Sequence, residues 1–239
     1  MKNITASFIL ALALFSLCPS TVQADELSIS VGIKARYNEL IIRLENESVK
    51  FGDESQDSIL LLGPSFKLSY GNFFGGVSWL QTIGRYSMDF FSLTANQEGN
   101  IDISMSDIDA LIGYMLHPRV GILAGYKSYT GRSTPGFTDR FDLSIKGPAI
   151  GLAYNYPLRE SAWLFIANVS YMPSMEYSFL EGQRDSDQDM DGYSAEVGLT
   201  YGSMEKIAYT IGVKHQELKS DLGDDWRYLG LTVSVDYRF

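Results

Sequence analysis

The segment 185–192 holds the densest set of potential metal ligands in the chain and reads Asp-Ser-Asp-Gln-Asp-Met-Asp-Gly. Asp187, Asp189 and Asp191 stand at alternate positions just before the glycine. Hard carboxylate oxygens at such positions, followed by a turn glycine, are typical of loops that bind Ca²⁺. The glutamate that closes such a loop is missing, because its place is taken by Gly198. Two interpretations stay open, a weak Ca²⁺ site and a solvated acidic loop.

Acid–base chemistry has one candidate residue. His215 lies near the end of an alternating segment, with Glu217 two residues further on. His117, the other histidine, falls in a short turn, where it is structural or solvated. General acid–base catalysis requires partners positioned within hydrogen-bond reach, and the sequence does not locate them around His215. A hydrolytic function is therefore an alternative and not the leading hypothesis.

The composition indicates one folded domain with an acidic character. The 239 residues are 45% hydrophobic, 20% charged and 13% aromatic, with a formal net charge of −10. The hydrophobic content is too high for a disordered chain, and the length fits a domain of ordinary size. The negative charge argues against nucleic acid as a partner, because a phosphate backbone needs a basic face.

Residues 1–24 have the features of a secretory signal peptide. A basic start is followed by the largely apolar stretch 4–17, and small residues precede the predicted cut after Ala24. The apolar stretch is shorter than the roughly 20 residues that a transmembrane helix needs. The only cysteine, Cys18, lies in this segment. We therefore expect the mature chain, 25–239, to be a single exported domain without disulfides.

Strict alternation of apolar and polar residues predicts β-strands throughout the mature chain. From Leu27 to Tyr37 every odd residue is apolar or aromatic, and every even residue is small, polar or basic. A period of two gives a strand one apolar face and one polar face. The pattern occurs in ten segments, at 27–37, 64–70, 76–83, 107–114, 120–127, 150–156, 163–171, 193–201, 209–214 and 229–239.

The connections between these segments alternate in length. Short ones lie at 71–72, 117–119, 157–161 and 202–206, and long ones at about 38–57, 85–100, 131–141, 173–192 and 217–227. An even number of strands, joined alternately by short and long connections, is typical of a closed antiparallel transmembrane β-barrel. Closure removes the unpaired sheet edges, whose backbone groups would be costly in lipid. The prediction is an all-β barrel of about ten strands, or eight if segments merge, with short periplasmic turns and long extracellular loops.

Two stretches change the phase of their alternation, at 101–107 and near 146–148. A phase change within a strand predicts a β-bulge, because one extra residue moves the following side chains to the opposite face. A soluble two-sheet sandwich also alternates, and it is the alternative to a barrel. The sorting of the loops and the nearly uncharged apolar faces favour the barrel.

The polar faces carry charges of both signs, which can pair inside a narrow lumen; they are Lys34, Arg36, Lys67, Asp107, Asp109, Glu196, Lys214, Asp236 and Arg238. The apolar faces are nearly free of charge, as hydrocarbon requires. Aromatic residues near the segment ends predict interfacial girdles. These residues are Tyr37, Tyr70, Tyr114, Tyr126, Tyr156, Trp163, Tyr171, Tyr201 and Tyr237.

The chain ends in Tyr237, Arg238 and Phe239, with the final aromatic residue on the apolar face of the last segment. This ending is similar to the terminal signal of Gram-negative outer-membrane β-barrel proteins, and the alternating mature chain resembles that class over its whole length. The resemblance implies location in the outer membrane and recognition of Phe239 by barrel-assembly machinery. It also implies contact with outer-membrane lipids and lipopolysaccharide, whose phosphates can share a cation with the aspartate cluster. It implies no activity.

Three functions remain for such a barrel. The first is a structural or surface-interaction role through loops rich in acidic residues, namely Glu45, Glu47, Asp53, Glu54, Asp57, Glu217, Asp221, Asp224 and Asp225. The second is a narrow pore or small-molecule conduit, although wide aqueous channels need roughly sixteen strands. The third is a hydrolase at the outer rim. The sequence favours the first, without enzymatic activity and with Ca²⁺ as the sole candidate cofactor, and it does not identify a loop partner.

Overall fold

The computed structural model describes residues 27–239 with short gaps. The gaps are 44–48, 52–56, 85, 93–96, 134–140, 159–161, 182–183, 203–205, 222 and 224. The predicted signal peptide, 1–24, lies outside the described residues. Within the described part, no helix has the length and apolarity needed to cross a membrane.

Antiparallel β-strands account for most of the described chain, and none of the described residues is helical. The alternating segments form strands because each can place its apolar side chains on one face of a sheet. The strands are β1 (Ser28–Arg43), β2 (Val49–Phe51), β3 (Asp57–Tyr70), β4 (Phe73–Thr82), β5 (Tyr86–Ser92), β6 (Gln97–His117), β7 (Val120–Ser133), β8 (Phe141–Pro157), β9 (Trp163–Glu181), β10 (Arg184–Tyr201), β11 (Ile207–Ser220) and β12 (Asp225–Arg238).

Ten of these strands close into a ring. β1 pairs with β3 on one side and with β12 on the other, and the ring continues through β4, β6, β7, β8, β9, β10 and β11. β4 and β5 both pair with β6, one after the other along its length. The short β2 pairs with β5. β2 and β5 therefore lengthen the wall of the barrel and do not count as further strands of the ring. The predicted closed antiparallel barrel of ten strands is confirmed. The alternatives of eight strands and of a sandwich are wrong.

The start of β1, the end of β12 and the short turns share one end of the barrel, called here the terminal end. Ser30 pairs with Arg238, and the backbone N–H of Phe239 donates to the carbonyl of Ile29 at 2.9 Å. The two-residue turn between β3 and β4 contains Gly71, whose φ of 55° is a left-handed conformation that glycine adopts without strain. The predicted short connections at 71–72 and 117–119 are confirmed, and those at 157–161 and 202–206 lie partly outside the described residues.

The opposite end, called here the outer end, differs from the prediction. The segment 173–192 is paired strand and not a long loop, because β9 continues to Glu181 and β10 begins at Arg184, directly opposite. β1 likewise continues to Arg43. Antiparallel pairing supplies the hydrogen bonds that the backbone of a long loop would have to find elsewhere. The barrel wall therefore extends well past the segments where the outward faces are apolar.

The outward faces of the terminal half are apolar and edged by aromatic residues. Eight residues separate Trp163 from Tyr171 on β9 and Tyr193 from Tyr201 on β10, and all four side chains are exposed on the outside. Eight residues span about 26 Å along a strand. Because barrel strands tilt by about 40°, this length corresponds to a height of about 20 Å, somewhat less than the apolar band of about 25 Å in outer-membrane barrels. The other predicted girdle residues also lie on the outward face, Tyr156 being half-buried.

Between Tyr171 or Tyr193 and the outer end, the side chains that face the lumen become apolar and the side chains that face outward become polar. Leu143 and Ile145 on β8 are buried inside the barrel, whereas Lys146 is exposed on the outside. The predicted bulge at 101–107 is wrong, since β6 pairs continuously with β7 from Ile103 to Asp107. Near 146–148 the pairing of β8 with β7 is continuous, but the register between β8 and β9 shifts between Lys146 and Ile150, so the predicted irregularity is present there with its extra residue on β9. The change of phase marks the level at which apolar side chains move from the outer face to the inner face.

The bulge of this region lies on β9. The register of β9 shifts by one residue against both neighbours, β8 and β10, between Met172 and Met175. Both methionines are buried, although they are three residues apart. Pro173 and Ser174 between them are exposed. A bulge is one of the few places where a central strand accepts proline, because an extra residue there is left without a ladder partner.

Candidate functional site

A network of buried charges crosses the middle of the lumen. Arg36, fully buried on β1, donates hydrogen bonds to Asp107 and, at 3.4 Å, to Oδ2 of Asp109 on β6. Asp109 also binds Lys127 Nζ at 2.8 Å and Lys214 Nζ at 2.7 Å. These side chains point inward because they occupy the polar register of their strands. Opposite charges at hydrogen-bond distance offset part of the cost of removing the ions from water.

A second group of ion pairs lies nearer the terminal end. Asp236 binds Lys67 Nζ at 2.7 Å and accepts a hydrogen bond from Ser65 Oγ at 3.1 Å. The Nζ of Lys34 lies 4.0 Å from Oε1 of Glu196. The prediction that charges of mixed sign pair inside the lumen is confirmed by these contacts and by the central network.

A layer of apolar and aromatic side chains fills the lumen on the outer side of the charge network. This lumen layer consists of Leu61, Leu80, Tyr129, Ile145, Met172, Met175, Leu218, Trp226 and Tyr228, each at most 3% exposed. The rings of Tyr129 and Trp226 lie with their centroids 6.4 Å apart, and Leu218 is the cross-strand partner of Trp226. Close packing of this kind leaves few voids that admit water.

Hydrogen bonds join the lumen layer to the charge network. The hydroxyls of Tyr129 and Tyr228 donate to Oε1 of Gln216 at 2.7 and 3.1 Å. The ring of Tyr228 also faces the cations of Arg36 and Lys214, which lie 5.8 and 5.6 Å from its centroid. The tyrosines thus direct hydroxyls and electron-rich faces towards polar partners while their ring carbons complete the apolar layer.

The aspartates predicted as calcium ligands lie on β10. The backbone of Asp187 pairs with that of Ser178. Asp189 and Asp191 are exposed, and Asp191 accepts a hydrogen bond from the hydroxyl of Tyr171 at 3.4 Å. A strand spaces alternate residues about 6.6 Å apart along a line, whereas a calcium loop turns its carboxylates towards one point. Across the described part of the chain, no three His, Cys, Asp or Glu side chains group closely enough to hold a metal ion.

His215 lies on the outward face of β11, away from the lumen. Its Nε2 is 3.4 Å from the hydroxyl of Tyr193, which donates to Glu217 at 2.7 Å. Glu217 also binds Lys219 at 2.8 Å and Arg227 at 3.3 Å. The hydrogen bond from Lys219, and next that from Tyr193, lower the pKa of Glu217 below its usual range. A carboxylate held ionised in this way is a weak proton acceptor, so the arrangement lends no support to hydrolysis.

The acidic residues predicted at the outer rim are only partly described. Those at 44–48 and 52–56, together with Asp224, fall outside the described residues. Asp221 is exposed, and Asp225 binds Arg227 at 2.6 Å. The described part of the rim therefore combines acidic side chains with neighbouring cations.

Comparison with known proteins identifies the fold. No protein-family model matches the chain, and no curated protein matches it in sequence. The outer membrane protease OmpT from Escherichia coli superposes with a TM-score of 0.57 over 92% of this chain and 99% of that chain, at 14% identity. The fold is that of Gram-negative outer-membrane β-barrel proteins. Neisserial surface protein A (NspA) is a more distant match, with a TM-score of 0.44 and 12% identity over 89% of this chain and 99% of its own.

Calcium binding by this barrel stays a prediction. We expect Asp189→Ala to remove any Ca²⁺ binding by the β10 cluster, because it deletes the central carboxylate of the three. Isothermal titration in the millimolar range, where weak extracellular calcium sites bind, measures the effect. Asp142→Asn is the matched control, since Asp142 is a carboxylate on β8, two strands away from β10, that lies 4.0 Å from Arg132. Wild-type protein that gives no heat of binding, or equal binding by Asp189→Ala, would remove the calcium hypothesis.

The sequence indicated neither Lys127 as a member of the charge network nor the lumen layer. Lys127 stood on a polar face, but its partner Asp109 lies on another strand, so the pairing depends on register. The layer did leave a signal at 101–107 and 141–149, where apolar residues occupy the opposite phase. That signal predicts a β-bulge, whereas β6 and β8 keep the same inward phase through these stretches and the environment of the two faces changes.

Proposed function

We propose that this chain resides in the Gram-negative outer membrane as a closed, non-conducting barrel with a structural or surface-interaction role. The observation that carries the proposal is the lumen layer, which fills the interior on the outer side of the charge network. The location is supported by the outer-membrane fold and by the outward band of apolar side chains with aromatic residues near its edges.

The lumen layer is built from strands all around the ring. Leu80 comes from β4, Tyr129 from β7, Met172 from β9 and Trp226 from β12, and all four side chains are buried. Side chains that reach inward from opposite walls meet near the axis of a barrel as narrow as this one. Wetting the layer would expose its apolar surface at about 25 cal/mol per Å². A continuous water path is therefore unfavourable.

The outer end of the wall provides the surface for interaction. Its outward face carries ion pairs, such as Lys146 with Glu176 at 3.1 Å and Arg227 with Asp225 at 2.6 Å. The proposal includes contact of this face with lipopolysaccharide and outer-membrane lipids. It also includes recognition of Phe239 by barrel-assembly machinery, for which the 76% exposure of Phe239 is favourable. Neither contact requires an open lumen.

The test uses protein purified from outer-membrane fractions of cells that express the full chain. We expect a band that migrates faster unheated than boiled, as closed membrane barrels do, and we expect no discrete conductance steps in planar bilayers. Regular conductance steps from the wild-type barrel would overturn the closed-lumen proposal. A soluble periplasmic band without a heat shift would overturn the location.

A further inference from the structure

A cavity of about 420 Å³ lies in the lumen between the charge network and the terminal end. Asp109, Lys127 and Lys214 of the network line its inner part, and Ser28 and Arg238 line it near the terminal end. A volume of this size is typical of small-molecule pockets. Because the lumen layer lies beyond the network, a ligand would enter and leave this cavity by the terminal end.

A row of four cross-strand partners, two of them glycines, shapes one wall of the cavity. Across the neighbouring strands β3, β4, β6 and β7, Lys67 pairs with Gly76, Gly76 pairs with Leu111, and Leu111 pairs with Gly125. Neighbouring strands lie about 4.8 Å apart, so Lys67 and Leu111 are about 10 Å apart across a glycine that adds no side chain. The row therefore forms a groove that runs from Lys67 to Leu111, and the ammonium of Lys67 extends from its end towards Asp236 on β12.

The apolar end of the groove has much exposed surface for an interior. Leu111 is 38% exposed although it points into the lumen, and Phe74 and Leu123 line the same cavity. Apolar surface left in contact with water is unfavourable by about 25 cal/mol per Å². An alkyl chain lying along this wall would remove that surface from water.

The lumen is positively charged within an acidic protein. Among the described lumen-facing side chains there are six cations and four anions, which are Lys34, Arg36, Lys67, Lys127, Lys214 and Arg238 against Asp107, Asp109, Glu196 and Asp236. The side chain of Lys67 keeps 51% of its surface exposed while it binds Asp236. Low-dielectric walls focus a positive potential onto an anion in the cavity.

We propose that this cavity binds a small anionic amphiphile, an alkyl carboxylate of medium chain length. The carboxylate lies on the ammonium group of Lys67, where it accepts a charge-assisted hydrogen bond. The alkyl chain crosses Gly76 and covers Leu111. The proposal goes beyond the closed-barrel function and does not rest on it, because the cavity lies on the terminal side of the lumen layer.

The test measures binding of octanoate by calorimetry to the purified barrel in phospholipid nanodiscs, with empty nanodiscs as the blank and octanol as the uncharged probe. We expect saturable octanoate binding that is tighter than octanol binding. Lys67→Met is expected to weaken octanoate binding about tenfold and to leave octanol binding unchanged, because one charged hydrogen bond is lost. Lys206→Met is the matched control, since Lys206 is exposed in a terminal turn and does not line the cavity.

A second variant tests the groove without changing a charge. Gly76→Val fills the space between Lys67 and Leu111 and is expected to weaken both octanoate and octanol binding, with folding checked by heat-modifiability. Octanoate heat equal to that of empty nanodiscs would overturn the proposal. The same holds if Lys67→Met binds octanoate as wild type does, or if Lys206→Met loses as much. Should Lys67→Met fail to fold, unchanged octanoate binding by Gly76→Val would overturn it.

Discussion

Arg36→Met is expected to destabilise the barrel by about 3–5 kcal/mol, the usual consequence of removing one partner from a buried ion pair. Arg36 is 0% exposed and contacts both Asp107 and Asp109. Asp109 keeps its contacts with Lys127 and Lys214 in the variant. Asp107, at 3% exposure, would lose the guanidinium that neutralises it. An uncompensated carboxylate in the lumen is the origin of the expected loss.

Urea unfolding in lipid vesicles, followed by tryptophan fluorescence, measures this loss. Lys146→Met is the control, because Lys146 and its partner Glu176 are both well exposed and such an ion pair is expected to contribute at most about 1 kcal/mol. The double variant Arg36→Met with Asp107→Leu should recover most of the lost stability, since it removes the stranded charge together with its partner. Unfolding of Arg36→Met at the wild-type urea concentration, or no recovery in the double variant, would contradict this account of the network.

The strand count and the facing of the side chains could be predicted because both are local properties. In 193–201 the alternation alone places Val197 outside and Glu196 inside, as the structure has them. Which charges meet inside the barrel is a different kind of property. The pairing of Lys127 with Asp109 requires the exact register between β6 and β7, which alternation alone leaves open because it determines the face of a side chain and not its level along the barrel.

The outer half of the barrel could not be predicted from alternation, because a period of two shows that a strand has an apolar face without showing where that face points. Ile145 and Leu152 are both apolar residues of β8, yet one is buried in the lumen and the other is exposed on the outside. The solvent changes from hydrocarbon to water between them. The sequence likewise predicts a long connection at 217–227, whereas Trp226 lies in β12 with its side chain buried in the lumen.

The candidate calcium site shows a related difficulty. The carboxylates of Asp187, Asp189 and Asp191 suggested a loop, because alternating acidic residues before a glycine are typical of one. The backbone at Asp189 and Asp191 instead pairs with β9 or β11 as a regular strand. Residue type identifies the chemical groups that are present, whereas pairing with neighbouring strands decides whether those groups converge.

The double substitution of Trp226→Ala and Leu218→Ala is expected to make the barrel, which we propose is non-conducting, conduct ions. Both side chains are buried in the lumen layer and are cross-strand partners, so their loss leaves one joined space. Truncation of a buried tryptophan also costs about 3–5 kcal/mol of stability. The space would connect the charged lumen to the outer end. Because described lumen cations outnumber anions, the new path is expected to favour anions over cations.

Planar-bilayer recording with potassium chloride measures both the conductance and, from reversal potentials in a salt gradient, its selectivity. Trp79→Ala is the matched control, because Trp79 is 50% exposed on the outward face and its removal leaves the lumen unchanged. Conductance in the Trp79 variant as well would mean that the steps reflect a general loss of barrel integrity. A double variant that folds, as heat-modifiability shows, and stays silent would place the barrier to conduction in the charge network of Arg36 and Asp109, below the lumen layer.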